Sequence, residues 1–166
     1  MCLDYVHRFG HSPELVSALR KIASLAEDLA DSGHTVLAFS DHGLVRSSCP
    51  DSLLQGWEAA TGPDRCSLPS GGAGRVRWCY PKQGQVSTVA DRLTDLLGER
   101  AIVIRVEQLT ELKLLSVDEG VAWALGDVVC LAVGEEFALP VPQVRYEHGS
   151  ITAEEMVVPL ALWRAR

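Results

Sequence analysis

The stretch that decides the fold is GHTVLAFSDHG, residues 33–43, in which an apolar run ends in an aspartate, a histidine and a glycine. The run from His34 to Phe39 is short, apolar and bounded by glycine and polar residues, which predicts a buried strand. Ligands of open α/β sheets bind beyond the carboxyl ends of the strands, so this position makes Asp41 and His42 candidate ligands. The alternative is an aspartate that caps a turn beside an incidental histidine.

A helix is predicted directly before this strand. Ser12 is a suitable N-cap, Pro13 suits the first helical position, and Gly33 ends the pattern. Between them, apolar residues recur at three- and four-residue spacing, namely Leu15, Leu19, Ile22, Leu25 and Leu29. A helix followed by a buried strand is typical of α/β layer folds. We therefore predict an α/β fold, a layered sheet with helices on both faces.

The rest of the chain continues the alternation of helices and strands. Two prolines and a glycine-rich run predict a surface loop at 61–74, interpreted as an insertion. Strands are expected at 75–80, 101–104 and 128–133, and helices near 87–97 and 108–125. Thr152 and Glu155 form a capping box before a last apolar run. Without a repeat or a second unit, residues 1–166 are predicted to form a single domain.

Composition narrows the class of protein. The 166 residues are 47% hydrophobic and 22% charged, which suits a soluble globular domain. No apolar run approaches the about 20 residues of a membrane span, and the first residues lack signal-peptide features, so we expect a cytoplasmic protein with no membrane partner. The net charge of −7 disfavours direct binding to a nucleic-acid backbone. Five scattered cysteines argue against a disulfide framework or a zinc knuckle.

Two more groups of histidines accompany the Asp-His-Gly motif. His7 and His11 are four residues apart and follow Asp4, so in a helix or turn they can converge on one ion. The alternative is that these three belong to a frayed N-terminal surface. His148 precedes a glycine in YEHGS, where an exposed loop can close over a site. Imidazole and carboxylate groups together suit a zinc-like ion.

Arg75 and Arg77 are candidates for binding a substrate phosphate. They flank Val76 in a predicted strand, and strand alternation places them on one face. Guanidinium groups on one face can contact a phosphate bidentately. The alternative is a pair of solvated arginines on an edge strand.

Three segments together resemble a known family. GHTVLAFSDHG, LGDVV at 125–129 and YEHGSITAEEMVVPLAL at 146–162 look like the C-terminal part of an alkaline phosphatase superfamily domain. The ending HGSITAEEMVVPL most resembles PglZ domains and, more distantly, the nucleotide pyrophosphatase and phosphodiesterase branch. The resemblance implies a partial alkaline phosphatase-like domain and hydrolysis of a phosphomonoester or phosphodiester, such as a nucleotide.

The resemblance also implies a ligand set for two zinc ions. Asp41 and His42 would hold one ion, and His148 would join an upstream pair on the other. That pair is usually an aspartate and a histidine four residues later. Here His7 stands in the aspartate's place and is followed by His11, with Asp4 as an alternative carboxylate.

The resemblance leaves one half of the hydrolase unaccounted for. In the superfamily the nucleophile and the first metal-binding aspartate lie far upstream, so we expect a missing N-terminal half or a partner protein to complete the site. Resemblance to PglZ domains further suggests bacterial phage defence or signalling. Two alternatives remain open: a non-catalytic interaction module that binds a partner at an open edge, and a generic α/β domain with incidental histidines.

Overall fold

Helices and strands alternate along a computed structural model that describes residues 5–118, 120–141 and 143–166. The helices are α1 (Tyr5–Phe9), α2 (Pro13–Asp31), α3 (Asp51–Thr61), α4 (Val86–Leu97), α5 (Val106–Glu111) and α6 (Ala153–Met156). The strands are β1 (Val36–Phe39), β2 (Val45–Arg46), β3 (Cys66–Ala73), β4 (Val76–Pro81), β5 (Ala101–Arg105), β6 (Val128–Ala132), β7 (Tyr146–Glu147) and β8 (Leu160–Trp163). The predicted α/β class is confirmed. None of the helices described is both long and apolar enough to cross a bilayer.

The main sheet has four strands in the order β3-β4-β6-β5, each antiparallel to its neighbours. Helices α3 and α4 bury their apolar sides in the core that lies against this sheet. The largest buried members of that core are Trp57, Phe137, Leu93, Leu97 and Leu139. Burial of these side chains, each worth about 1.5–3 kcal/mol relative to exposure, makes this the most stable part of the fold.

Two small sheets connect distant parts of the chain. β1 pairs antiparallel with β8, and β2 pairs antiparallel with β7. In the second sheet Val45 lies opposite Glu147. This register sets the Asp-His-Gly motif, just before β2, beside His148, just after β7.

The strand after α2 differs from its prediction. β1 begins at Val36, and alternate side chains are exposed, with Leu37 at 55% and Phe39 at 69%. The prediction of a fully buried strand is wrong because, among the described residues, β1 pairs with β8 alone and nothing covers its outer face.

The glycine-rich segment is not a loop throughout. Residues 66–73 form β3, which pairs with β4 through an irregular register with shifts near Leu68. Gly72 has a φ of +98°, and a Cβ there would overlap the backbone of Val76. Glycine thus lets the two strands approach closely where most side chains would separate them.

The predicted helical stretch near 108–125 is also interrupted. α5 ends at Glu111, Lys113 adopts a φ of +57°, and the amide of Leu114 donates to the carbonyl of Leu109 at 2.9 Å. A left-handed residue followed by such a bond is the usual way to close a helix. A short 3-10 turn, Ala122–Leu125, is the next helical segment described.

Candidate functional site

Three histidines from distant parts of the chain meet at one place. His7 lies in α1, His42 follows β1, and His148 follows β7. The rings of His42 and His148 stack with centroids 3.5 Å apart and an interplanar angle of 11°. The ring of His7 lies 5.5 Å from that of His148 and 6.3 Å from that of His42. The structure therefore joins three of the residues that the sequence singled out.

Backbone contacts attach α1 to this cluster. The amide of Arg145 donates to the carbonyl of His7 at 3.2 Å, and Nδ1 of His7 lies 2.8 Å from the carbonyl of Tyr146. A side chain at Gly10, which has a φ of +63°, would collide with the Tyr146 ring. Helix α1 thus rests on β7, and His7 is positioned by the strand that leads to His148.

Hydrogen bonds fix which nitrogen of two rings carries the proton. Nδ1 of His7 faces the Tyr146 carbonyl, and Nδ1 of His42 lies 2.8 Å from the carbonyl of Gly43. A carbonyl only accepts, so both Nδ1 atoms are protonated and donate. When the ring is neutral, Nε2 carries the lone pair, as in histidines that bind metals while their other nitrogen is held by a carbonyl.

His148 is biased toward its neutral form. Burial is the largest cause that lowers its pKa below the ordinary value, and repulsion from a protonated His42 is the next. A neutral imidazole has the lone pair that metal binding requires. The site therefore favours the ligand form of His148 over its cationic form at neutral pH.

Two carboxylates border the histidines. Asp41 has a side chain that is 87% exposed, and its Oδ1 lies 3.8 Å from Nε2 of His42. Glu147 has a side chain that is only 14% exposed, with Oε2 3.9 Å from Nδ1 of His7 and accepting from the amide of His148 at 3.3 Å. Sequence reasoning missed Glu147, although it stands next to His148 in the motif.

The ring geometry bears on how a metal would fit. The donor set of imidazoles and carboxylates suits zinc. A lone pair lies in its ring plane, and the planes of His42 and His148 are nearly parallel and about one stacking distance apart, so one ion cannot lie in both. No three described His, Cys, Asp or Glu side chains are placed to hold a single ion.

The remaining predicted ligands lie apart from the cluster or outside the description. His11 is exposed, directly before the N-cap of α2. Its ring is not among the histidine ring contacts of the described residues. Asp4 falls outside the described residues. The cluster thus consists of His7, His42 and His148.

The two arginines are buried, in contrast to the predicted substrate-facing pair. Arg75 has no exposed surface and forms an ion pair with Glu155, with Nε 3.1 Å from Oε1. Arg77 is 9% exposed, lies 5.0 Å from the ring centroid of Trp57 and donates to the carbonyl of Ala138 at 2.8 Å. Both guanidinium groups are buried and contact protein groups, whereas the prediction placed them facing a substrate phosphate.

The comparisons with known proteins give the fold. No family model matches the chain, and no curated protein matches its sequence. The chain is similar to murine ectonucleotide pyrophosphatase/phosphodiesterase 5, solved as an inactive variant in complex with AMP, at 17% identity and a TM-score of 0.64. That match covers 98% of this chain and 44% of the other.

The human ectonucleotide pyrophosphatase/phosphodiesterase 5 gives a similar result, at 17% identity and a TM-score of 0.64, covering 96% of this chain and 44% of that one. The chain thus has part of an alkaline phosphatase-like fold, as predicted, and spans less than half the length of these structures. They belong to the nucleotide pyrophosphatase and phosphodiesterase branch, whereas the sequence motifs predicted a closer resemblance to PglZ domains, which these comparisons do not support.

Proposed function

We propose that this chain is the C-terminal part of a metal-dependent phosphohydrolase and supplies metal ligands to its active site. The observation that carries the proposal is the meeting of His7, His42 and His148, which come from three distant segments. Histidines that share no function would not be expected to meet from three distant segments. The ligands would be these three and Asp41, and zinc is the metal that this donor set suits best.

The residues of the chain would prepare the site in two ways. Nδ1 donation by His7 and His42 to backbone carbonyls holds each ring with Nε2 free, and burial keeps His148 neutral. When bound, zinc would stabilise the negative charge that develops on a phosphoryl group. Glu147, next to His7 and His148, adds a nearby negative charge that favours cation binding.

The substrate would be a phosphate ester, and a nucleotide is the first to test. Support comes from the fold, because a structure with the same fold was solved with AMP. The nucleophile would come from the N-terminal half of the domain or from a partner protein. The PglZ-like ending HGSITAEEMVVPL suggests a role in bacterial defence or signalling.

Zinc titration calorimetry tests the proposal. We expect the wild-type chain to bind zinc. Loss of a residue that only orients a ligand typically weakens metal binding by about 10- to 100-fold. His42→Ala and His148→Ala each remove a ligand, so each should weaken zinc binding by more than that.

His34→Ala is the matched control, because His34 is exposed and lies just before β1 rather than after it. It should leave the affinity unchanged. A wild-type chain without zinc affinity, or equal losses in all three variants, would contradict the proposal.

A second candidate, an interaction module, is favoured by an exposed apolar surface. Strand pairing places four leucine and phenylalanine side chains on one side of the β1–β8 sheet, and each is more than half exposed: Leu37 (55%), Phe39 (69%), Leu160 (70%) and Leu162 (52%). We call these four the outer apolar face. Soluble monomers rarely expose contiguous apolar surface of this kind unless it binds something.

Helix α2 adds to the unpartnered apolar surface. It buries the small residues Ala18, Ala26 and Ala30, while larger apolar side chains are exposed: Val16, Leu19, Ile22, Leu25 and Leu29. The predicted amphipathic helix is therefore present, but much of its apolar stripe is uncovered. We propose that the outer apolar face receives the other part of an alkaline phosphatase-like domain, because this chain spans 44% of the structures that share its fold.

Co-purification with the polypeptide encoded immediately upstream tests this second proposal. We expect a one-to-one complex with the wild-type chain and its loss in Phe39→Lys/Leu160→Lys, since two charges in the interface would have to be desolvated without partners.

Leu114→Lys changes a residue that is 71% exposed outside the outer apolar face, and should leave the complex intact. A complex that survives Phe39→Lys/Leu160→Lys would contradict the proposed face. If the chain instead forms a homodimer through the outer apolar face, the partner that binds this face is a second copy of the chain.

A further inference from the structure

A buried ion pair lies directly behind the histidine cluster. Arg75 is 0% exposed and Glu155 3% exposed, with Nε and Oε1 3.1 Å apart. Nη1 of Arg75 also donates to the hydroxyl of Ser47 at 3.1 Å and to the carbonyl of Gly134 at 2.9 Å. The arginine is therefore held from several sides in addition to the glutamate.

Both members of the pair hold the segment that carries His148. The backbone amide of Arg75 donates to the carbonyl of His148 at 2.8 Å. The carboxylate of Glu155 accepts from the amide of Ser150 at 2.8 Å and from the hydroxyl of Thr152 at 2.7 Å. Residues 148–152 are thus fixed from both ends of the ion pair.

Glu155 also holds the segment that carries His42. The amide of Gly43 donates to the carbonyl of Glu155 at 2.8 Å, and the carbonyl of Gly43 accepts from Nδ1 of His42. A Cβ at Gly43 would overlap the carbonyl of Glu154, so only glycine permits this approach. One short helix, α6, therefore connects the two loops whose histidines stack.

We propose that Arg75 and Glu155 are positioning residues that set the His148 loop against the His42 loop and thereby align the ligands of the metal site. The inference rests on the proposed function in one respect, namely that the histidines bind a metal. The arrangement of the two loops does not depend on the proposed function. Neither residue is among the proposed metal ligands. The Glu155 side chain acts through the amide of Ser150 and the hydroxyl of Thr152, and the ion pair fixes the backbone of Arg75 and Glu155, which contacts His148 and Gly43.

The chemistry of buried ion pairs supports a positioning role over a purely stabilising one. Apolar residues of similar volume often replace such a pair with no loss of stability, and sometimes with a gain. A charged pair instead specifies one arrangement, because the hydrogen bonds of the Glu155 carboxylate are satisfied only when residues 150–152 are in place. The apolar replacement leaves no buried charge unpaired, so the chain should still fold, whereas the geometry of the site should change.

The double variant Arg75→Met/Glu155→Met tests the inference by three measurements on the full chain. Thermal unfolding reports stability, histidine ring proton spectra of the metal-free chain report stacking, and calorimetry reports zinc affinity. Stacked rings shift each other's proton signals, so the wild type should show displaced signals for His42 and His148. We expect the double variant to fold and to lose less stability than Arg75→Met alone, to lose these displacements and to bind zinc about 10- to 100-fold more weakly.

Arg100→Met/Glu136→Met is the matched control, because it removes an exposed ion pair of 2.9 Å away from the cluster. It should change none of the three measurements. A folded Arg75→Met/Glu155→Met variant that keeps the displaced signals and the zinc affinity would overturn the inference. If the wild type binds no zinc, the proposed metal fails, and the ring signals alone still decide whether the pair positions the loops.

Discussion

Arg75→Met alone is expected to lower the free energy of unfolding by about 3–5 kcal/mol. The change removes the cation and leaves the side chain of Glu155, which is 1% exposed, without its charge partner. It also leaves the Ser47 hydroxyl and the Gly134 carbonyl without a donor. Chemical denaturation of the wild type and the variant measures the difference.

The control for this change is Arg100→Met. Its ion pair with Glu136 has side chains that are 49% and 47% exposed, and exposed pairs contribute about 0–1 kcal/mol. If Arg75→Met costs no more than Arg100→Met, the buried pair is not the connection that we describe.

Gly43→Ala is expected to separate the two histidine loops. The added methyl group would overlap the carbonyl of Glu154, which is backbone and has no side-chain freedom to yield. Overpacking of this kind costs about 1–3 kcal/mol and sometimes more. Because the amide of Gly43 donates to Glu155, the shift should also weaken zinc binding. Unfolding and calorimetry on the same preparation separate the two effects.

Gly134→Ala provides a matched glycine substitution. A Cβ at Gly134 would lie 3.5 Å from the nearest atom, Cα of Arg100, which is an ordinary contact. It should leave both stability and zinc binding near the wild-type values. Equal effects of the two substitutions would mean that close packing at Gly43 has no special part in the site.

Local signals in the sequence predicted the elements that depend on neighbouring residues. Ser12 accepts from the amide of Leu15 and Pro13 begins α2, as the capping pattern indicated. α4 ends at Leu97 before Gly98, which has a φ of +51°. Each of these boundaries is set within a few residues, so the sequence alone contains the information.

Elements that depend on distant residues were harder to predict. β3 runs through a glycine-rich segment whose composition is typical of a loop, and only pairing with β4 makes it a strand. The end of α5 places Lys113 in the left-handed region, a position where glycine is the usual signal. At β3 tertiary pairing overrides the local preference, and at Lys113 the residue type gives no signal for the end of the helix.

The residues of the candidate site also differ in whether local sequence patterns could predict them. His42 and His148 were found from their motifs, and strand alternation placed Arg75 and Arg77 on one face. Their burial depends on partners 61 to 80 positions away, such as Glu155 and Ala138, and no local pattern reveals it. Thr152 was predicted to cap α6, but its hydroxyl donates to the carboxylate of Glu155, where it supports the ion pair.

The most direct test of the central claim is a zinc titration of the metal-free chain followed by the ring signals of its histidines. We expect the signals of His7, His42 and His148 to change together, while that of His34 stays constant. The signal of His11 would decide whether it joins the site, as the sequence predicted. Ring signals that do not respond to zinc, or a response at His34 equal to that at His42, would contradict the claim that the three converging histidines form a metal site.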